Sequence, residues 1–187
     1  MNPGSATKTP RTVTSEIRKF CDQLVGSGNL RRVRVKSAPE AAENDCFHNV
    51  SDHLKAHGGS SILGWTIWEW PATMIEAEFH CVWLSSKGDL IDITPKPDGD
   101  PEVLFLRDEA AEFDVTNPPP PRPNVRQPLT DHPAMRQFLS AATDREALIA
   151  QHWKGRHAEI PAAKMSAIER RLTLAVQALR ARRVGRN

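Results

Sequence analysis

The chain has 187 residues, 39% of them hydrophobic and 26% charged, with a formal net charge of +2. That balance describes one soluble globular domain, or one domain with an appendage, and the lack of any run of about 18 apolar residues excludes a bilayer-spanning helix. The N-terminal stretch MNPGSATKTPRTVTSE has no apolar segment of the kind a secretory signal needs, so a cytoplasmic chain with no membrane partner is expected.

Residues 1–13 are rich in Pro, Ser, Thr and Gly, lack periodicity, and are expected to be mobile. From Ser15 to Val25, Ile17, Phe20, Cys21 and Leu24 recur at helical spacing, with Thr14 or Ser15 to cap and Gly26 or Gly28 to stop. LRRVRVK (30–36) alternates valine with basic residues and reads as an edge strand. From Pro39 to His57 the repeat of Ala42, Cys46, Val50 and Leu54 predicts a helix that ends at Gly58-Gly59, with Cys46 near its start. ILGWTIWEW (62–70) is apolar on both faces and reads as a central strand closed by Pro71.

Met74 to Leu84 alternates, with Ile75, Ala77, Phe79, Cys81 and Trp83 on a core face and Glu76, Glu78, His80 and Val82 on a polar one. SSKG then turns the chain and Leu90 to Thr94 returns, making a hairpin. EVLFL (102–106) and EFDV (112–115) add strands, while NPPPPRPNVRQP (117–128) is too proline-rich for a regular element and reads as an extended linker. Helices follow over 133–142 and 145–152, and Pro161 opens a last one with Met165, Ile168, Leu172, Ala175, Val176 and Leu179 on one stripe. The expected architecture is an α+β domain over 14–116, an antiparallel sheet packed against the Cys46 helix, then the linker and a helical extension over 129–187.

Three cysteines, Cys21, Cys46 and Cys81, fit neither a disulfide framework nor a paired CxxC zinc site, so reduced thiols are expected. Cys21 and Cys81 read as core packing. Cys46 differs because a helix N-terminus offers exposed N–H groups and a positive dipole end, both of which favour a thiolate. A nucleophile also needs a base and a group that orients the base. His80 lies 34 residues later on the polar strand face, and Asp92 follows after 12 more. An even hairpin register brings residues 80 and 92 to one face within about 8 Å, so that Asp92 holds one imidazole nitrogen and the other faces the thiol, whereas an odd register separates them.

The order of these residues resembles the transglutaminase-like branch of the papain-like cysteine hydrolase superfamily, over roughly Asn44 to Pro95. HCVWLSSKGDLIDITP is similar to the stretch in which a histidine followed by a tryptophan precedes a glycine turn and an aspartate-threonine strand. The resemblance implies a papain-like core, Cys46 as nucleophile, His80 as base, Asp92 as its orienter, and acyl chemistry on an amide or ester, including a peptide or protein substrate.

In place of the Trp and Gly that often precede the family's cysteine, this chain has Glu43, Asn44 and Asp45. Asn44 and the Cys46 backbone N–H are the candidate oxyanion donors, with Asp45 opposing a thiolate unless it points away. Glu76 and Glu78 read as a solvated face or as selectors of a cationic substrate, and Trp65, with the other tryptophans, as core or as the wall of a cleft beside Cys46. His53 and His57 have the i, i+4 spacing of a helical metal pair, but the sequence places no third ligand, so neither a metal nor another cofactor is expected. From Pro161 to the end, seven basic residues face one acid, which suits a solvated helix or a surface for an acidic partner or nucleic acid. The alternative to an enzyme is a catalytically silent binding module that engages a partner through that helix.

Overall fold

The structure, a computed structural model, describes residues 6–26, 28–96, 99–115 and 117–184, with side chains through 181. In chain order the elements are α1 (Ser15–Val25), β1 (Leu30–Val35), α2 (Cys46–His57), β2 (Ser60–Trp70), β3 (Met74–Leu84), β4 (Leu90–Asp92), β5 (Glu102–Arg107), β6 (Val125–Pro128), α3 (Pro133–Gln151) and α4 (Ala162–Val184). The chain is mixed α and β. The strands run in the order β2-β5-β1-β4-β3-β6, and the further pairing of β2 with β3 closes the first five into a small barrel. Among the described residues no helix is long and apolar enough to cross a membrane.

Two compact units divide the chain: the described parts of Thr9–Trp68 with Ala77–Thr116, and those of Met1–Lys8, Glu69–Glu76 and Asn117–Asn187. The first is called the barrel unit and the second the helical unit.

In the barrel unit, Val33, Val82, Val103 and Phe105 form one core cluster, bordered by Ile62, Trp68 and Leu90. Closure corrects two sequence expectations. β1 is not an edge strand, because it pairs antiparallel with β5 and parallel with β4. The sheet is therefore not wholly antiparallel. β1 and β4 are separated in sequence by α2, β2 and β3, and a connection of that length permits a parallel pair where a tight hairpin does not. The alternation that suggested an exposed edge reflects a strand with Val33 inside and arginines outside, an arrangement any outer barrel wall allows. Gly64 sits where β2 crosses closely over β5: a Cβ there would meet the Leu106 carbonyl oxygen at 2.2 Å.

α2 begins at Cys46, seven residues later than the apolar period suggests. Asn44 has φ of 59°, and the side chain of Asn49 folds back to accept from the Ala42 N–H at 3.0 Å and donate to the Ala42 carbonyl at 2.7 Å. The preceding segment is thus a braced turn. Its Ala38 and Ala41 pack in the same cluster as Cys46, Val50, Cys81 and Ile93, which is why the hydrophobic period runs past the real helix start. α1 is capped as expected, Thr14 Oγ1 accepting from the Ile17 N–H. Residues 112–115 are not a strand; instead the Phe113 ring stacks on Phe47 at 3.8 Å.

Of residues 1–13, residues 1–5 lie outside the described residues, and the rest make contacts in both units. In the barrel unit Thr9 bonds the Glu102 carbonyl, and the Arg32 guanidinium donates to the carbonyls of Pro10 and Arg11. In the helical unit Lys8 exchanges both backbone bonds with Glu69.

The helical unit is built on α3 and α4. Trp70, Met74, Ala134, Met135, Val176 and Leu179 form its main cluster, and Ala141, Ala142 and Leu172 a second. α3 is one helix through 143 and 144, where the sequence suggested a break, because nothing in the ATD segment forbids helical backbone. The proline-rich 117–128 segment also ends in a strand. β6 forms where the prolines thin out, and Arg126 within it bonds Glu76 Oε1 at 2.8 Å and Glu146 Oε1 at 2.7 Å. The Trp153 indole N–H donates to the Pro118 carbonyl.

Candidate active site

The site is set by the β3–β4 hairpin and the start of α2. Ser85 accepts at Oγ from the Lys87 and Asp89 N–H groups, and Gly88 takes φ of 88°, which closes the turn. Trp83 then faces Ile91 and Leu84 faces Leu90. Continuing that register by one residue sets Asp92 opposite Val82 and makes His80 its diagonal neighbour on the same face.

His80 Nε2 lies 2.9 Å from Asp92 Oδ2, with His80 5% exposed and Asp92 fully buried. The face that alternation marked as polar is therefore closed from His80 onward, because Val82 on it enters the barrel core. Asp92 is fully used. Its Oδ2 also takes Lys96 Nζ at 2.7 Å, and its Oδ1 accepts from the Thr94 N–H at 3.0 Å. Thr94 Oγ1 in turn accepts from Asn49 Nδ2 at 3.1 Å, tying the carboxylate segment to the first turn of α2.

Electrostatics follow from this packing. Burial opposes an imidazolium at His80, but the charges of Asp92 and of a Cys46 thiolate, with the Asp92 hydrogen bond, outweigh burial and Lys96, and His80 is pushed up to about 10. Burial likewise opposes ionisation of Asp92, yet His80 and Lys96 hold it well below the usual carboxylate range. Burial pushes the Cys21 thiol up to about 11, and burial with the neighbouring charges of Cys46 and Asp92 raises Cys81. Those two thiols are packing groups.

Cys46 is the first residue of α2, 7% exposed, and packs beside Cys81 and Ile93. His80 Nε2–H donates to Asp92, so that nitrogen does not accept from Lys96 Nζ 3.4 Å away, and among the described residues Nδ1 has no hydrogen-bond partner, Cys46 Sγ included. Asp45 is held by His48, whose Nδ1 is 2.6 Å from its Oδ1.

The remaining sequence candidates are placed as follows. Asn44 is exposed and takes φ of 59° just before α2. The Trp65 indole N–H donates to Asp108 at 3.1 Å and its ring meets Phe79 edge-on at 5.2 Å. Phe79 continues to Phe47, giving an aromatic run that ends next to Cys46 in sequence. Glu78 accepts from the Trp68 indole N–H at 2.9 Å, and Glu76 is committed to Arg126 and Asn124. Both glutamates are half-buried.

Lys96, Asn49 and Thr94 were missed by sequence reasoning. Lys96 stands four residues after Asp92, and Asn49 one helical turn after Cys46, so a search for polar residues on the Cys46 stripe and for a cation near the buried carboxylate would have found both. Comparison of the chain with protein-family models, with curated proteins and with solved structures gave no match.

Proposed function

We propose that the barrel unit is a thiol-dependent hydrolase or acyltransferase in which Cys46 attacks an amide or ester carbonyl, His80 moves the protons and Asp92 orients His80. The observation that carries this reading is the buried 2.9 Å contact between His80 Nε2 and Asp92 Oδ2, with Cys46 at the start of the helix that packs on Cys81 and Ile93 beside it. The likeness to the transglutaminase-like branch of the papain-like superfamily, and a papain-like core within the barrel unit, belong to the same proposal.

The chemistry runs in two halves. With the Cys46 proton already carried by His80, Sγ bonds the carbonyl carbon, while the oxyanion is met by N–H groups of the first turn of α2 that have no intrahelical acceptor. Collapse breaks the bond to the leaving amine or alcohol, which takes the proton from His80, and a thioester remains. Water or an amine then attacks the thioester, passes its proton to His80, and releases the thiolate. Asp92 keeps the imidazole aligned and stabilises its charged form throughout.

The test is alkylation by iodoacetamide at pH 6 with each cysteine followed by mass spectrometry. Cys46 is expected to react well above the rate of a free thiol and of Cys21 and Cys81, and to lose that advantage in His80→Gln. An ordinary rate, independent of His80, would reject the enzyme reading and leave a binding module that uses its basic C-terminal helix.

A further inference from the structure

We infer that Glu40, His53 and His57 bind one divalent transition-metal ion of the zinc class, at a site separate from the Cys46 chemistry and independent of it. The last two turns of α2 set His53 and His57 on one face with ring centroids 4.2 Å apart. The turn before the helix supplies the third group: Glu40 Oε1 lies 3.4 Å from His53 Nδ1. One ligand atom from each residue lies within 4.8 Å of the others. Donors about 2.0–2.2 Å from a tetrahedral zinc sit roughly 3–4 Å from one another, so small side-chain rotations convert this cluster into a coordination sphere.

The surroundings support a metal rather than a plain ion pair. The His53 ring is held edge-on against Trp83 at 4.6 Å, and the Trp83 indole N–H donates to the carbonyl of Gly58, just past α2. One anchored imidazole and two outer ligands suit an ion that arrives from solvent: the His53 side chain is 13% exposed and that of Glu40 59%. Two imidazoles and one carboxylate are the ligand types zinc takes with nitrogen and oxygen donors, and three protein ligands leave a fourth position for water or a substrate group. Bound there, the ion links the segment before α2 to the end of the same helix and stabilises the barrel unit by mass action.

The experiment is a titration of metal-stripped full-length protein with Co2+, read by absorption, followed by displacement with Zn2+ and by the thermal shift each ion produces. One Co2+ per chain with d–d bands and no thiolate charge-transfer band is expected, displaced by Zn2+. Glu40→Gln, His57→Gln and His53→Asn are each expected to weaken binding by about tenfold or more. Because Glu40 and His57 are exposed, their variants should keep the native circular dichroism, so the outcome does not hinge on His53→Asn folding. Cys46→Ala should bind as the parent does. Absence of binding, binding unchanged in all three variants, or a thiolate charge-transfer band that disappears in Cys46→Ala overturns the assignment, and none of these outcomes depends on whether the protein hydrolyses anything.

Discussion

Lys96 and Asp92 meet inside the barrel unit, with Lys96 Nζ 2.7 Å from the same Oδ2 that His80 Nε2 approaches at 2.9 Å. The carboxylate thus serves two cations, and Lys96, its side chain only 8% exposed, sits 3.4 Å from the imidazole itself. This second cation is a positioning group for the proposed base: it shares the oxygen that orients His80 and opposes the charge His80 acquires.

Replacing Lys96 tests that role. Its charge lowers the His80 proton affinity, so Lys96→Met is expected to move the His80 midpoint up, as followed by NMR of the imidazole C–H signals. The same change removes a buried charge-assisted hydrogen bond and should cost about 1.5–3 kcal/mol in urea unfolding. A midpoint that stays put or falls would show that Lys96 only fills space.

The pH dependence of stability has a definite sign. His80 is raised from 6.5 to about 10 on folding, so its contribution is complete below about pH 6.5 and is lost as pH climbs through about 10. Asp92 is lowered, so its contribution is present above the ordinary carboxylate range and is lost as acid protonates it. Unfolding free energy is therefore expected to be greatest between the ordinary carboxylate range and about pH 6.5, to fall steadily as pH climbs from there towards about 10, and to fall again in acid. Because the Cys46 charge helps raise His80, Cys46→Ala should shift the alkaline decline to lower pH. An alkaline limb identical in the two proteins would break the proposed coupling.

Asp92→Asn should be far more harmful than Glu78→Gln. The amide cannot hold both cations or fix the imidazole tautomer, and a loss on the order of a hundredfold or more in Cys46 alkylation at pH 6 is expected from the triad template. Glu78 bonds an indole N–H, which a glutamine oxygen also accepts, so less than about a tenfold change is expected there. A larger loss for Glu78→Gln would reassign the orienting carboxylate.

Arg126 in the helical unit is a matter of stability rather than chemistry. It neutralises Glu76 and Glu146, all three side chains being largely buried, and their charges raise its own proton affinity against the cost of burial. Arg126→Met leaves two carboxylates uncompensated and should cost about 3–5 kcal/mol in denaturant unfolding. Adding Glu146→Gln should restore part of the loss, measured as a double-mutant cycle; strict additivity would mean the two do not interact.

Several features of this chain are determined locally and were legible in the residues alone. The α1 cap at Thr14, the reversal at SSKG, the long strand from Met74 and the apolar stripe of α4 each follow from patterns a few residues long. The shared face of His80 and Asp92 was only half legible, since a short loop and a period of two leave an even or an odd register, and the structure takes the even one. What required the tertiary structure depends on partners distant in sequence. The place of β1 between β4 and β5, the closure of the sheet by β2 and β3, and the burial of the face that carries His80 arise because strands far apart in sequence satisfy one another's backbone groups. The charge balance at Asp92 became complete only when Lys96 folded over it, and the commitment of Glu76 only when Arg126 reached it. Glu40 met His53 and His57 for a related reason: an apolar period that continues through a turn hides where a helix begins, so Glu40 reads as helical in sequence but stands, in the fold, beside the last turns of α2.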